Sequence, residues 1–218
     1  MKKYLKMPRA VRLATLFAMI PALFLGGCGQ QTKCEKSIDT AMGTVISQTV
    51  YVTENSPTAT DGKTDEKVTD VVLQKLNDLE QQELSWRLDS AEVAKINAAA
   101  GKGQIQVSTA MAGWLERCLQ ISEQTGGAFD VSIGKLSRLW DIDTWAAADD
   151  PQDYELPGLE EIEQALASAG WQQMILEQRT DSTAVSIPAG MQIDLGAVGK
   201  GVALDEIRKT LEEHPKVS

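Results

Sequence analysis

The feature that most constrains folding is the run DLGAVGKG at residues 194–201. An apolar, strand-like stretch (Ala189 to Ile193) precedes it, and a stretch with Leu204, Ile207 and Leu211 at near-helical spacing follows it. Its glycines make a tight strand-to-helix turn inexpensive and allow close approach of a ligand to the backbone. Lys200 beside free N–H groups at a helix start predicts an anion corner, to which Asp194 adds a carboxylate. Phosphate, carboxylate and a divalent metal could meet there. As a purely structural feature, the same run is a β-to-α turn with Lys200 at the surface.

The remaining periodicities fit an α+β domain. Residues 40–53 alternate as a strand, and residues 54–63 are turn formers. Residues 64–83 predict a helix with Val68, Val71, Val72, Lys75, Leu76 and Leu79 on one stripe and Thr64 as its cap. A short helix is expected over 90–97, capped by Ser90, and a strand over Gln104–Val107. Ser108 or Thr109 then caps a helix to about Thr125, with Met111, Trp114, Leu115, Cys118 and Ser122 inward and Gly126-Gly127 as a left-handed stop. Phe129, Val131 and Ile133 alternate with Asp130 and Ser132 as a strand, while 143–158 looks like an acidic surface excursion. A helix over 158–169, strands near 173–178, 183–187 and 191–195, and a helix over 201–213 complete the pattern. Regular βαβ alternation is lacking, which argues against a doubly wound sheet.

The first 27 residues look like a targeting segment: Lys2, Lys3, Lys6, Arg9 and Arg12 precede an apolar run from Leu13 to Leu25 interrupted by Pro21. Leu25-Gly26-Gly27-Cys28 resembles a lipobox, so residues 1–27 are expected to be a lipoprotein signal peptide, with Cys28 the lipidated residue and 28–38 a polar tether. The net charge is −10, and removing that segment leaves 16 basic against 31 acidic side chains, a charge of −15. Such an acidic chain is not expected to bind nucleic acid, and anionic lipid would not attract it; membrane attachment falls to the lipid anchor. Cys118 is expected to be a small buried thiol, and no Cys or His cluster has zinc-ligand spacing. The single histidine, His214, reads as a solvated or capping residue.

Two further patches complete a set of four. One is Met42-Gly43-Thr44, by itself strand core with a glycine bulge. The other is Ser85-Trp86-Arg87 with Asp89, Ser90 and Asn97, where Trp86 and Arg87 could stack on and pair with an aromatic anion, or else pack and be solvated. Together with Phe129-Asp130-Val131, Gly134 and Trp140, and with Asp194-Leu195-Gly196, Lys200-Gly201 and Asp205, this ordered set resembles the FAD:protein FMN transferase (ApbE-like flavin transferase) family. The resemblance covers roughly residues 39–214 and implies a T-fold-related α+β domain over 39–218. It implies Mg²⁺-dependent transfer of FMN from FAD to a threonine of an acceptor protein, a subunit of a membrane redox complex, with release of AMP. Hydrolysis of FAD to FMN and AMP, or flavin binding without turnover, are the alternatives. Met42, Trp86, Ala128, Phe129, Asp130, Asp194 and Lys200 would line the FAD site, and the Ala197 carbonyl would bind the metal. Trp86 would stack on a ring of FAD, the two aspartates would accept hydrogen bonds from ring or ribose groups, and Lys200 would neutralise a phosphate. No catalytic side chain is assigned, because the attacking hydroxyl belongs to the acceptor. The resemblance also implies a longer domain that supplies the other metal ligands, an Asp and a Thr or Ser, so a C-terminally truncated form is expected here. The lipobox implies a lipid-anchored, extracytoplasmic location at the cell membrane.

Overall fold

A computed structural model describes residues 32–53, 67–147 and 154–214. The expected signal peptide, Cys28 and the Thr64 cap lie outside these. Strands β1 (Thr32–Ala41) and β2 (Thr44–Thr53) form an antiparallel hairpin in which Ala41 pairs with Thr44. The two residues between them, Met42 and Gly43, have φ of 53° and 65°, the mirror-image turn that matches strand twist. Strand β1 corrects the expected 28–38 tether: from Thr32 onward that stretch is sheet. Its inward side carries Glu35, Ser37, Asp39 and Ala41, so apolar alternation could not announce it.

The inward polar groups have a task. Helix α1 (Val68–Asp78) lacks a side-chain cap of its own at Lys67. Glu35 Oε2 instead accepts the Val68 N–H at 2.8 Å, and Gln48 Nε2 donates to the Thr69 carbonyl at 3.2 Å. The predicted stripe packs inward through Val68, Val72, Leu76 and Leu79, all buried. Beyond Asp78 the helix widens into a π-helical segment, Leu79–Leu84.

Helix α2 (Glu92–Ala98) has Ala91 at its N-cap position, not the expected Ser90, whose hydroxyl donates to the Gln81 carbonyl at 2.7 Å. Strand β3 (Ile105–Val107) leads into helix α3 (Thr109–Gln124), capped as expected by Ser108, which accepts the Met111 N–H at 3.0 Å. Met111, Leu115, Cys118 and Ser122 are buried, and Gly126 and Gly127 end the helix with φ of 61° and 84°. Cys118 and Cys34 are both free thiols; burial raises the Cys118 pKa to about 11, which keeps it unreactive.

Residues 128–133 do not form the expected strand. Asp130 and Ser132 fold the backbone onto a local side-chain bond, and only an isolated parallel bridge, Ile133 with Gln192, remains of either this strand or the one expected at 191–195. Helices α4 (Gly134–Trp140) and α5 (Ile142–Ala147) follow, so the start of the acidic excursion is helical. Helix α6 (Leu159–Ala167) leads to β4 (Ile175–Gln178) and β5 (Thr183–Ser186), which make an antiparallel sheet in the order β3-β5-β4.

Helix α7 (Gly196–Glu212) begins five residues earlier than expected, with the glycines inside its first turns. It buries Gly199 and Ala203, while Leu204 is 67% exposed and off the inward face. Lys75 on α1 pairs with Glu206 on α7 at 3.7 Å. The core joins α1, α2, α3, β5 and the segment Met191–Leu195. No helix among the described residues is long and apolar enough to cross a membrane.

Candidate functional site

The segment before α7 is held from two sides. Asn97, buried on α2, donates from Nδ2 to the Ile193 carbonyl at 3.0 Å and accepts the Ile193 N–H on Oδ1 at 2.7 Å. On the other side Gly134 N–H donates to the Gln192 carbonyl and Asp194 N–H donates to the Val131 carbonyl, both at 2.9 Å. A Cβ on Gly134 would lie 2.7 Å from the Gln192 carbonyl oxygen, so only glycine permits this approach. The loop carrying Ala128, Phe129 and Asp130 is thereby set beside Asp194.

Both aspartates are engaged by their own chain. Asp130 Oδ1 accepts from Ser132 N–H at 2.7 Å and from its hydroxyl at 2.6 Å, while Oδ2 accepts from Trp171 N–H at 3.2 Å. Asp194 Oδ1 accepts the Gly196 N–H at 2.7 Å, satisfying one of the free donors at the start of α7. Phe129 is half-buried against the core and Ala128 is exposed. Gly196, Ala197, Lys200 and Gly201 form the exposed side of the first two turns of α7. Lys200 has no ion-pair partner among the described residues.

Met42 reaches the same helix. Its Cε would stand 3.7 Å from a Cβ on Gly199, and Leu84 Cδ1 would stand 3.8 Å away. The left-handed Met42 is fixed by its N–H, which donates to Glu80 Oε2 at 2.9 Å. That glutamate lies on the π-helical segment, a conformation common near functional sites. Glu83 on the same segment has a carboxyl pKa raised first by burial, and its Oε2 has no hydrogen-bond partner among the described residues.

Two residues past Leu84 is Trp86, partly buried against the core. Two guanidinium carbons lie over its ring, that of Arg87 at 3.9 Å from the centroid and that of Arg138 at 4.6 Å. Arg138 on α4 also donates to the Trp86 carbonyl at 3.3 Å, and Arg87 pairs with Asp143 on α5. Arg138, Glu80 and the double bond of Asn97 to Ile193 are absent from the sequence-derived site residues. The partners of each lie 38 to 96 residues away, and only the long-range fold reveals them.

Of the expected metal ligands only the Ala197 carbonyl falls on the described residues. Ala197 lies in the first turn of α7, and no group of three or more His, Cys, Asp or Glu able to hold an ion occurs among the described residues. One carbonyl does not make a site for Mg²⁺, which takes six oxygens and commonly uses one or two carboxylates.

A sequence profile of the ApbE family matches residues 42–217. An FAD:protein FMN transferase of Treponema pallidum is 34% identical over 142 residues, covering 62% of this chain and 37% of the relative. That of Escherichia coli K12 is 26% identical over 204 residues, covering 93% and 56%. The chain thus spans about half, or less, of the length of these curated relatives. The crystal structure of the ApbE protein of Thermotoga maritima superposes with a TM-score of 0.62 at 23% identity, covering 81% of this chain and 52% of that one. The flavin transferase ApbE of Vibrio cholerae gives 0.63 at 21% identity, covering 84% and 54%. With the family profile matching most of the sequence and an α+β fold shared with solved relatives, this chain belongs to the ApbE family.

Proposed function

We propose that this chain supplies an FAD-binding wall of an FAD:protein FMN transferase. The reaction moves the FMN moiety of FAD onto a threonine of an acceptor protein, a subunit of a membrane redox complex, and releases AMP. The observation that carries the reading is the convergence on one helix start of residues from the four sequence patches. Met42 packs on Gly199, Asn97 bonds Ile193 through both its amide atoms, the Val131 carbonyl next to Asp130 accepts the Asp194 N–H, and Asp194 bonds the first N–H of α7.

In this reading Lys200 offers its ammonium to a phosphate of FAD, with the positive end of the α7 dipole behind it. Phe129 gives an apolar edge. Asp130 and Asp194 hold the backbone of the site in shape, and any hydrogen bond they give a ligand uses lone pairs left over from their internal bonds. The attacking hydroxyl comes from the acceptor, so no nucleophile is asked of this chain. Mg²⁺ dependence belongs to the proposal, and no step is routed through the ion because the described residues do not form its site. Lipidation at Cys28 and an extracytoplasmic, membrane-anchored location belong to the proposal on the strength of the lipobox-like sequence.

The test is an AMP-release assay with FAD, Mg²⁺ and an acceptor domain, using a full-length family protein that carries this sequence. Acceptor-dependent AMP release with FMN bound covalently supports transfer. Free FMN without acceptor identifies a pyrophosphatase, and FAD binding without either product identifies a flavin carrier. Lys200→Ala is expected to weaken FAD binding about tenfold or more; unchanged affinity would make Lys200 a surface residue only.

A further inference from the structure

Two guanidiniums share the Trp86 indole. Both carbons are within the roughly 6 Å over which a ring face attracts a cation. Each gains from the ring, yet the two positive charges repel one another, and the local balance of anions is incomplete. Arg87 has Asp143, but both side chains are more than half exposed, at 51% and 67%, so this pair is of the kind that contributes at most about 1 kcal/mol and exchanges readily. Arg138 has a different neighbourhood: it is half-buried, its one hydrogen bond goes to the neutral Trp86 carbonyl, and no carboxylate pairs with it among the described residues. A guanidinium has five N–H donors in a planar fork. In a chain of net charge −10, an arginine with no carboxylate partner among the described residues, beside a second arginine, runs against the overall composition.

The position of the pair gives it meaning. Trp86 follows Leu84, which approaches Gly199 next to Lys200. Arg138 rides on α4, whose first residue is bonded to the Gln192 carbonyl in the segment that leads to Asp194. Arg87 thus lies three residues past a side chain that approaches α7, Arg138 lies one turn along a helix whose first residue is tied to the segment leading into α7, and Lys200 lies on α7 itself. We propose that Arg87 and Arg138 form a clamp for a diphosphate, with Trp86 as the platform that orients the two forks and not as the stacking partner of a ligand ring. The identity of the ligand as the dinucleotide rests on the functional reading above; the anion site itself does not. Diphosphate displaces Asp143 from Arg87 and satisfies Arg138, which suits the bidentate geometry of guanidinium with phosphate oxygens. A ring stacking on Trp86 would instead have to evict a cation that already lies over it.

The test is calorimetric titration of inorganic pyrophosphate into the full chain, its Arg138→Gln and Arg87→Gln variants, and Arg138→Lys, with riboflavin as a phosphate-free control. The clamp predicts saturable pyrophosphate binding that weakens about 10- to 100-fold in Arg138→Gln, weakens less in Arg87→Gln, and is only partly kept by Arg138→Lys. Riboflavin should respond equally to all four proteins. Circular dichroism reports whether each variant is folded, and the exposed Arg87→Gln decides the matter should Arg138→Gln not fold. Absence of saturable pyrophosphate binding overturns the clamp, as does unchanged affinity in the folded arginine variants. Riboflavin binding that falls with either arginine variant would overturn it in favour of ring stacking at Trp86. Pyrophosphate bound through the arginines but not displaced by FAD upholds the clamp and refutes the dinucleotide reading alone.

Discussion

The corner at Asp130 and Asp194 and the ledge at Trp86 are built from charged residues in opposite ways. At the corner the carboxylates accept backbone and hydroxyl hydrogens of their own chain, and Asn97 and Gly134 close the remaining gaps. At the ledge two guanidiniums lie over one indole, and among the described residues only that of Arg87 has a carboxylate partner, the exposed Asp143. Charged residues of similar prominence in the sequence thus differ in how many of their hydrogen-bonding positions the fold has already filled, which is the ground for the proposed division into scaffold and grip.

This contrast is open to breakage, first at the corner. Asn97→Leu removes both bonds to Ile193 and leaves a buried N–H and C=O unpaired, so a loss of roughly 2–5 kcal/mol in urea unfolding is expected. A loss below about 1 kcal/mol would mean the corner is not scaffold. Next, Gly134→Ala presses a methyl onto the Gln192 and Ile193 backbone and should cost about 1–3 kcal/mol by the same measurement. Asp130→Ala frees Ser132 and Trp171 N–H groups and should cost about 2 kcal/mol. Arg138→Gln at the ledge should change stability by no more than about 0.5 kcal/mol, sharpening the division between the two regions.

A similarly small effect lies away from both, at the junction of α1 and α7. Glu206 is held below the ordinary carboxylate range first by its hydrogen bond from Lys209, and further by the charges of Lys209 and Lys75. With the folded pKa below the unfolded one, its contribution is present at neutral pH and fades as pH falls through the folded value, below about pH 4.3. Glu206→Gln should therefore cost about 0.5 kcal/mol at pH 7, discounted for the exposure of Lys209, and the difference from the parent should close in acid. A difference that stays constant from pH 7 to pH 3 would contradict the assignment.

What could be read from the sequence was local. Ser108 and the stripe of α3 declare themselves within 16 residues, and the glycine-flanked Asp194 and Lys200 stand out at a helix start. Strand β1 was hidden because its inward residues are mostly polar, and one of them, Glu35, serves a partner 33 residues away on α1. The start of α7 was hidden because glycines are poor helix formers, and the fold tolerates them where Gly199 admits Met42 and Leu84. The π-helical segment and Arg138 carry no local signal, since each is defined by contacts across the chain. The four patches nonetheless pointed to the correct family, and their order along the chain carried that information where no single patch could.

The central claim is that the grip of this wall is on phosphate and its aspartates are scaffold. The most direct measurement compares the affinities of FAD and riboflavin for the full chain by calorimetry at low ionic strength. The account predicts FAD binding tighter by about tenfold or more, with the advantage shrinking as salt is raised. Equal affinity for FAD and riboflavin, or an advantage insensitive to salt, would contradict it.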